Sequence, residues 1–148
     1  MKTYFYLLLI TLFISCSSDD SINYDAKNEA DIIKYIDDNN LTATKSNSGL
    51  YYIINEEGTG VNPTTNSTVT VGYKGYFLDG KTFEENSSGI KFNLQQVIQG
   101  WTEGITYFKE GGKGTLLIPS RLAYGSTPRQ GIPAGSVLIF DINLIKIH

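Results

Sequence analysis

From Val137 to Ile147 the chain reads VLIFDINLIKI, which puts Leu138, Phe140, Ile142 and Leu144 on one side of an extended backbone and Asp141 and Asn143 on the other. Strand side chains alternate with a period of two, so this stretch buries its apolar set against a core only as β-structure in one register. The same rhythm recurs upstream. TVTVGYKGYF, 68–77, alternates Val69, Val71 and Tyr73, and Leu50 to Asn55 forms a strand that runs into a glycine turn at EEGTG. Asp79-Gly80 supplies a hairpin turn, with Lys81 to Phe83 starting the return strand, and Gly114 to Ile118 is a further short strand. Among these strands one helix is predicted, about Ile98 to Phe108, with Ile105 and Phe108 placed to pack beside Trp101. Many strands and one helix imply an α+β fold, an antiparallel sheet folded over a short helix. No internal repeat interrupts this pattern.

The first part of the chain is organised differently. Its total of 148 residues suits one domain with one core. MKTYFYLLLITLFISCSSDD opens it with one lysine, an apolar run too short to span a bilayer comfortably, and a polar tract. Phe13-Ile14-Ser15-Cys16 resembles a bacterial lipobox, with Phe13 in place of the usual leucine. On that reading residues 1–15 are a lipoprotein signal peptide and Cys16 is the lipidated residue, carrying acyl chains such as palmitate. The other reading is an ordinary signal peptide with an incidental cysteine. Cys16 is the only cysteine, so no intramolecular disulfide is possible. Each buried methylene of an acyl chain contributes about 0.8 kcal/mol, enough for several chains to hold a soluble domain on a membrane. Residues 16–24 then form an acidic tether and 25–48 a helical extension with its linker. Within it, 25–38 is an amphipathic helix with Ile32, Ile33 and Ile36 on one face. The principal domain occupies 49–148. The expected location is the bacterial cell envelope, periplasmic or surface-facing.

Most chemistry is excluded by counting. A net charge of -3, without a Lys/Arg cluster, leaves no footprint for nucleic acid. The single histidine, His148, is the last residue, which removes support for a Ser-His-Asp triad or a histidine metal site. KEGGKG, 109–114, lacks P-loop spacing and reads as a tight turn into a strand. NST at 66–68 and NSS at 86–88 read as loop sequence, and the pairs Glu56-Glu57 and Glu84-Glu85 as solvated edges near turns. A chain rich in aromatics and poor in reactive groups fits one reaction that needs no nucleophile or cofactor, rotation about an X-Pro bond.

Four ordered blocks then carry a resemblance: VTVGYKGYFLDGKTF, 69–83; FNLQQVIQGWTEGI, 92–105; IPSRLAYG, 118–125; and VLIFDINLIKI, 137–147. In order and spacing they resemble the FKBP family of peptidyl-prolyl cis-trans isomerases over about residues 50–148. The resemblance implies a bent antiparallel β-sheet wrapped around one short α-helix, with the active pocket between them and no metal, nucleotide or other cofactor. It implies a substrate pocket lined by Tyr73, Phe83, Glu84, Phe92, Val97, Ile98, Trp101, Tyr124, Ile132 and Phe140. Trp101 would be the floor under a proline ring, Gly100 would allow close approach of the backbone, and the Ile98 N–H and Tyr124 hydroxyl would donate to ligand carbonyls. Glu84 stands where the family usually has aspartate, one methylene shorter. The segment 84–91 lacks an arginine, with Ile90 where an aromatic is common, and the flap 125–136 keeps Ile132-Pro133 in its own composition. The implied partners are proline-containing unfolded or client envelope proteins, with macrolide-type pocket ligands, no nucleic acid, and a membrane reached through the lipid anchor. Lipoprotein isomerases associated with gliding motility have a similar arrangement. Two rival readings remain: a non-catalytic binding lipoprotein using the same pocket, and a structural lipoprotein whose aromatics are all core.

Overall fold

The computed structural model describes residues 22–148. The proposed leader, Cys16 and the first part of the acidic tether lie outside the described residues. In chain order the elements are α1 (Tyr24–Asp38), β1 (Thr44–Lys45), β2 (Tyr51–Glu56), β3 (Thr68–Tyr76), β4 (Thr82–Asn93), α2 (Gln99–Gly104), β5 (Lys113–Ile118) and β6 (Leu138–Ile147). The strands form one sheet in the order β1-β2-β5-β6-β3-β4, every neighbouring pair antiparallel. This is the α+β arrangement expected, with short 3₁₀ turns added around α2 and after β5.

β6 is central because its composition allows burial on both faces. Leu138, Phe140, Ile142 and Leu144 join Val69, Val71, Leu116 and Ile118 in the main core under α2. Ile139, pointing the other way, joins Ile32, Tyr51, Leu117 and Val137 in a second core under α1. Asp141 remains outside and accepts hydrogen bonds from the Thr115 hydroxyl at 3.0 Å and the Tyr76 phenol at 3.1 Å.

α1 begins at Asn23, whose side chain accepts from the Ala26 N–H at 3.2 Å, a helix N-cap. The sequence placed three isoleucines on its buried face, but only part of that holds. Ile32 is fully buried and Ile36 packs beside it, whereas Ile33 is 44% exposed. Successive helix residues turn by about 100°, so a face centred on Ile32 takes Asn28, Tyr35 and Ile36 and turns Ile33 to water.

The largest departure is β4. It extends past Phe83 through the whole polar run to Asn93 and pairs with β3 along its length, with a register shift after Val71, whose partner is Ile90. Within the shift Gly89 has a φ of 97°, and its N–H donates to the Asn86 side chain at 3.0 Å. Asn86-Ser87-Ser88 and Glu84-Glu85 therefore lie in a bulged strand, not in a loop or turn. Their lack of apolar alternation follows from an edge strand that buries little. β1 was likewise not foreseen, being only two residues long.

α2 lies flat on β5 because it presents glycines there. A Cβ on Gly100 would come within 2.4 Å of Ile118, and one on Gly104 within 2.7 Å of Leu116. The helix continues as a 3₁₀ turn over Ile105–Tyr107 and ends at Phe108, matching the predicted extent.

Candidate active site

At one end of α2 the two layers do not close. A cavity of about 390 Å³ opens between the helix, the ends of β3, β4 and β6, and the loop after β5. Of the residues expected there, Tyr73, Glu84, Phe92, Val97, Ile98, Trp101, Tyr124 and Phe140 line it. The two others, Phe83 and Ile132, line an adjoining hollow that shares Glu84, Tyr124 and Arg129 with the first. The structure thus brings all ten together in two neighbouring recesses.

Trp101 is the hub. It is 4% exposed, and the rings of Tyr73, Phe92 and Phe140 meet it edge-on at centroid distances of 5.1, 5.2 and 5.3 Å and interplanar angles of 86°, 80° and 80°. Such pairs contribute about 0.5–1.5 kcal/mol beyond their buried area. Near-perpendicular plates fix one another rigidly, and with Val97, Ile98 and Tyr124 they wall the cavity. The indole N–H of Trp101 is buried without a hydrogen-bond partner among the described residues. An unsatisfied buried donor is costly and uncommon, and it marks a wall that packing alone does not explain.

Phe83 acts one layer out. It meets Phe140 edge-on at 5.5 Å and Phe77 at a tilt of 45° at 5.0 Å. Gly75 makes that possible, since a Cβ there would lie 2.6 Å from Phe83 and 2.8 Å from Phe140. Ile98 is the N-cap of α2. Its carbonyl accepts from the Trp101 and Thr102 N–H groups at 2.9 and 3.1 Å, while its own N–H makes no backbone hydrogen bond among the described residues and is left beside the cavity.

The longer carboxylate at position 84 reaches the pocket wall. The Tyr73 phenol donates to Glu84 Oε1 at 2.8 Å. Burial, reinforced by that bond, pushes the Tyr73 hydroxyl up to about 12. Tyr73 is therefore a permanent neutral donor at ordinary pH, and Glu84, exposed on the edge strand as expected, turns one carboxylate oxygen to the pocket wall. Three lining residues escaped the sequence reading: Gln96, Ala123 and Arg129. The Arg129 guanidinium sits 4.8 Å from the centroid of the Tyr124 ring, a cation-π contact at the pocket rim. Nothing in the composition of the flap signals it, because the contact depends on how the loop folds back. Among the described residues no group of acidic, histidine or cysteine side chains is disposed to hold a metal. The arrangement offers aromatic walls, one free amide donor and two phenols, which suits gripping an apolar ring flanked by carbonyls.

Comparison with known proteins agrees with this geometry. The family model for FKBP-type peptidyl-prolyl cis-trans isomerase matches residues 60–145. The FKBP-type peptidyl-prolyl cis-trans isomerase FkpA of Escherichia coli K12 is 44% identical over 105 residues, covering 69% of this chain and 39% of that protein. FkpA of Buchnera aphidicola from Schizaphis graminum is 45% identical over 108 residues, 70% of this chain and 43% of its own length. The chain thus spans about two fifths of the length of these curated relatives. Among solved structures, FkpA from Escherichia coli superposes with a TM-score of 0.74 at 40% identity over 82% of this chain and 60% of its own. A peptidyl-prolyl cis-trans isomerase from Pseudomonas syringae does so with 0.72 at 30% identity, over 83% of this chain and 94% of its own.

Proposed function

This chain belongs to the FKBP-type peptidyl-prolyl cis-trans isomerase family, and we propose that its pocket catalyses X-Pro bond rotation in client proteins of the bacterial cell envelope. The observation that carries the reading is the open, ring-walled cavity centred on Trp101, at the site where the sequence resemblance places the substrate.

The barrier to be lowered is about 18–20 kcal/mol and arises from conjugation across the C–N bond. Cis and trans forms differ by only about 0.5–1 kcal/mol, so the reaction requires no driving force, only a site that favours the rotated amide. Rotation breaks conjugation and makes the carbonyl less polar. Walls of Tyr73, Phe92, Trp101 and Phe140 offer poor solvation to the planar amide and relatively better solvation to the twisted one. Only such differential binding accelerates the step, about tenfold for each 1.36 kcal/mol. In this reading Trp101 carries the proline ring, and Val97 and Ile98 flank it. The Ile98 N–H and the Tyr124 hydroxyl hold carbonyls on either side of the bond. Glu84 fixes Tyr73 in the wall, and Phe83 and Ile132 border the exit of the chain. No cofactor takes part. A macrolide of matching shape would occupy the same space.

The envelope location and membrane tether rest on the leader sequence and Cys16. Among the described residues no helix is long and apolar enough to cross a membrane, so attachment on this reading is through lipid at Cys16. Labelling with radioactive palmitate should mark the wild-type protein and not Cys16→Ser.

Protease-coupled turnover of a proline tetrapeptide tests the activity. Acceleration by the wild type, lowered about tenfold by Tyr124→Phe with the fold retained, is the expected result, one lost carbonyl hydrogen bond being of that size. Binding of unfolded chains without acceleration would instead identify a non-catalytic module. A Trp101 fluorescence signal that ignores a macrolide ligand would mean that the rings are only core.

A further inference from the structure

Asn28, in the first half of α1, is 1% exposed, and both ends of its amide are engaged far along the chain. Its Oδ1 accepts from the Ser120 N–H at 2.7 Å, and its Nδ2 donates to the Gly135 carbonyl at 2.9 Å. An N–H on one side and a carbonyl on the other leave a single orientation of the amide that satisfies both. Ser120 and Gly135 are the two ends of the loop that carries Tyr124, Arg129 and Ile132. The loop's own bonds connect them further: Gly125 N–H donates to the Ser120 carbonyl at 2.7 Å, and Gly135 N–H donates to the Gly125 carbonyl at 2.9 Å. Asn28 closes this chain into a ring of four hydrogen bonds running Ser120, Gly125, Gly135, Asn28 and back to Ser120. Tyr124 lies inside the first span, and the Arg129–Ile132 tip, itself joined by two 2.9 Å backbone bonds, projects from the second. The ring of Tyr24 supplies another contact, lying where a Cβ on Gly135 would come within 2.0 Å of it.

We propose that Asn28 is a positioning residue for the pocket, holding through this ring the loop that sets Tyr124, Arg129 and Ile132 against the aromatic floor. Its catalytic consequence rests on the isomerase reading, whereas its geometry does not. A helix that only docks on the sheet needs an apolar contact, and Ile32 provides one. A buried amide whose two partners lie at opposite ends of one pocket loop does something Ile32 does not: it fixes the width of that loop's base. The floor of Tyr73, Trp101 and Phe140 belongs to other elements and is untouched by it. Loss of the ring is therefore read in substrate binding more than in the rotation step.

The experiment compares the full chain with Asn28→Leu and Asn28→Asp by amide hydrogen exchange across residues 120–135 and by separate kcat and KM for a proline peptide. Asn28→Leu should speed exchange at Ser120 and Gly135 and raise KM about tenfold, with kcat within about twofold, since uniform binding is what it removes. Asn28→Asp keeps the acceptor for Ser120 and loses the donor to Gly135, so only the Gly135 end should loosen, with KM again raised. If the leucine variant does not fold, the aspartate variant decides by the same two readouts. Unchanged exchange and KM in a folded variant, or a fall in kcat at fixed KM, overturns the proposal. If the wild type shows no turnover, the isomerase reading fails, while the exchange measurements still judge the ring.

Discussion

The two faces of the sheet are each covered by a helix, yet the hollow on the α2 side is the one built around a buried cluster of rings. Under α1, Ile32, Tyr51, Leu117, Val137 and Ile139 pack into one cluster, mostly of branched aliphatics that mould to one another, and the recess beside it is lined by Tyr24, Lys27, Asp31, Phe77 and Val137. Under the start of α2, three rings meet Trp101 edge to face and wall one side of a cavity of about 390 Å³. Rings that lock at right angles are held in place by one another, so they stay apart without a filler. The difference teaches that burial alone does not separate core from site, since Trp101 and Ile139 are both buried. What separates them is whether the side chains can collapse into the space beside them.

The strongest way to break this comparison is on the α1 face. Ile32→Ala removes a fully buried side chain from a tightly packed cluster, and about 2–5 kcal/mol of stability should be lost on urea unfolding. Turnover per folded molecule should stay within about twofold, because the pocket rings lie across the sheet. A large fall in turnover by folded Ile32→Ala would show that the faces are not independent. Next in size is Gly100→Ala, which acts at the seam. Its Cβ would press into Ile118 at 2.4 Å, lifting α2 and the Trp101 floor with it. Overpacking of this kind costs about 1–3 kcal/mol, and here turnover should fall as well. A stable, fully active Gly100→Ala would mean that the floor does not depend on close seating of the helix.

How much of this was readable beforehand follows the same division. The two-residue rhythm of β3 and β6 was legible because the face toward α2 stays apolar along both strands, and the Asp79-Gly80 turn because its positive φ calls for glycine. β4 was not, since an edge strand with a bulge at Gly89 has no face to keep apolar over 84–91. Ile33 was assigned to the buried face because hydrophobicity was read as position, whereas the helix turned a polar residue, Asn28, inward instead. The rings of the pocket could be named from ordered motifs, but any one of them alone would have passed for core. Arg129 and the Asn28 ring were invisible, because each is made by the folded path of a loop and not by any local spacing. Glu84 shows the limit from the other side: its side chain is one methylene longer than the family's aspartate, and the bulged strand brings it within 2.8 Å of the Tyr73 phenol all the same.

That last bond gives the smallest and most selective test of the open face. Tyr73→Phe keeps the ring that abuts Trp101 and removes only the donor to Glu84, so about 0.5–1.5 kcal/mol of stability should go at neutral pH. Alkaline titration sharpens it. The folded-state value of about 12 lies above the ordinary 10.0, so the contribution of the phenol is fully present below pH 10 and is lost as pH rises through 12. A shift of two units corresponds to about 2–3 kcal/mol of differential stability between those limits, as an order of magnitude. The chain has ten tyrosines, so the wild-type curve alone would not isolate this one. The difference between wild type and Tyr73→Phe does: it should be steady below pH 10 and then shrink and reverse, the phenylalanine form becoming the more stable. Parallel curves across that range would mean that the hydroxyl is not desolvated in the wall, and the picture of a dry pocket face held by the Tyr73–Glu84 bond would fail with it.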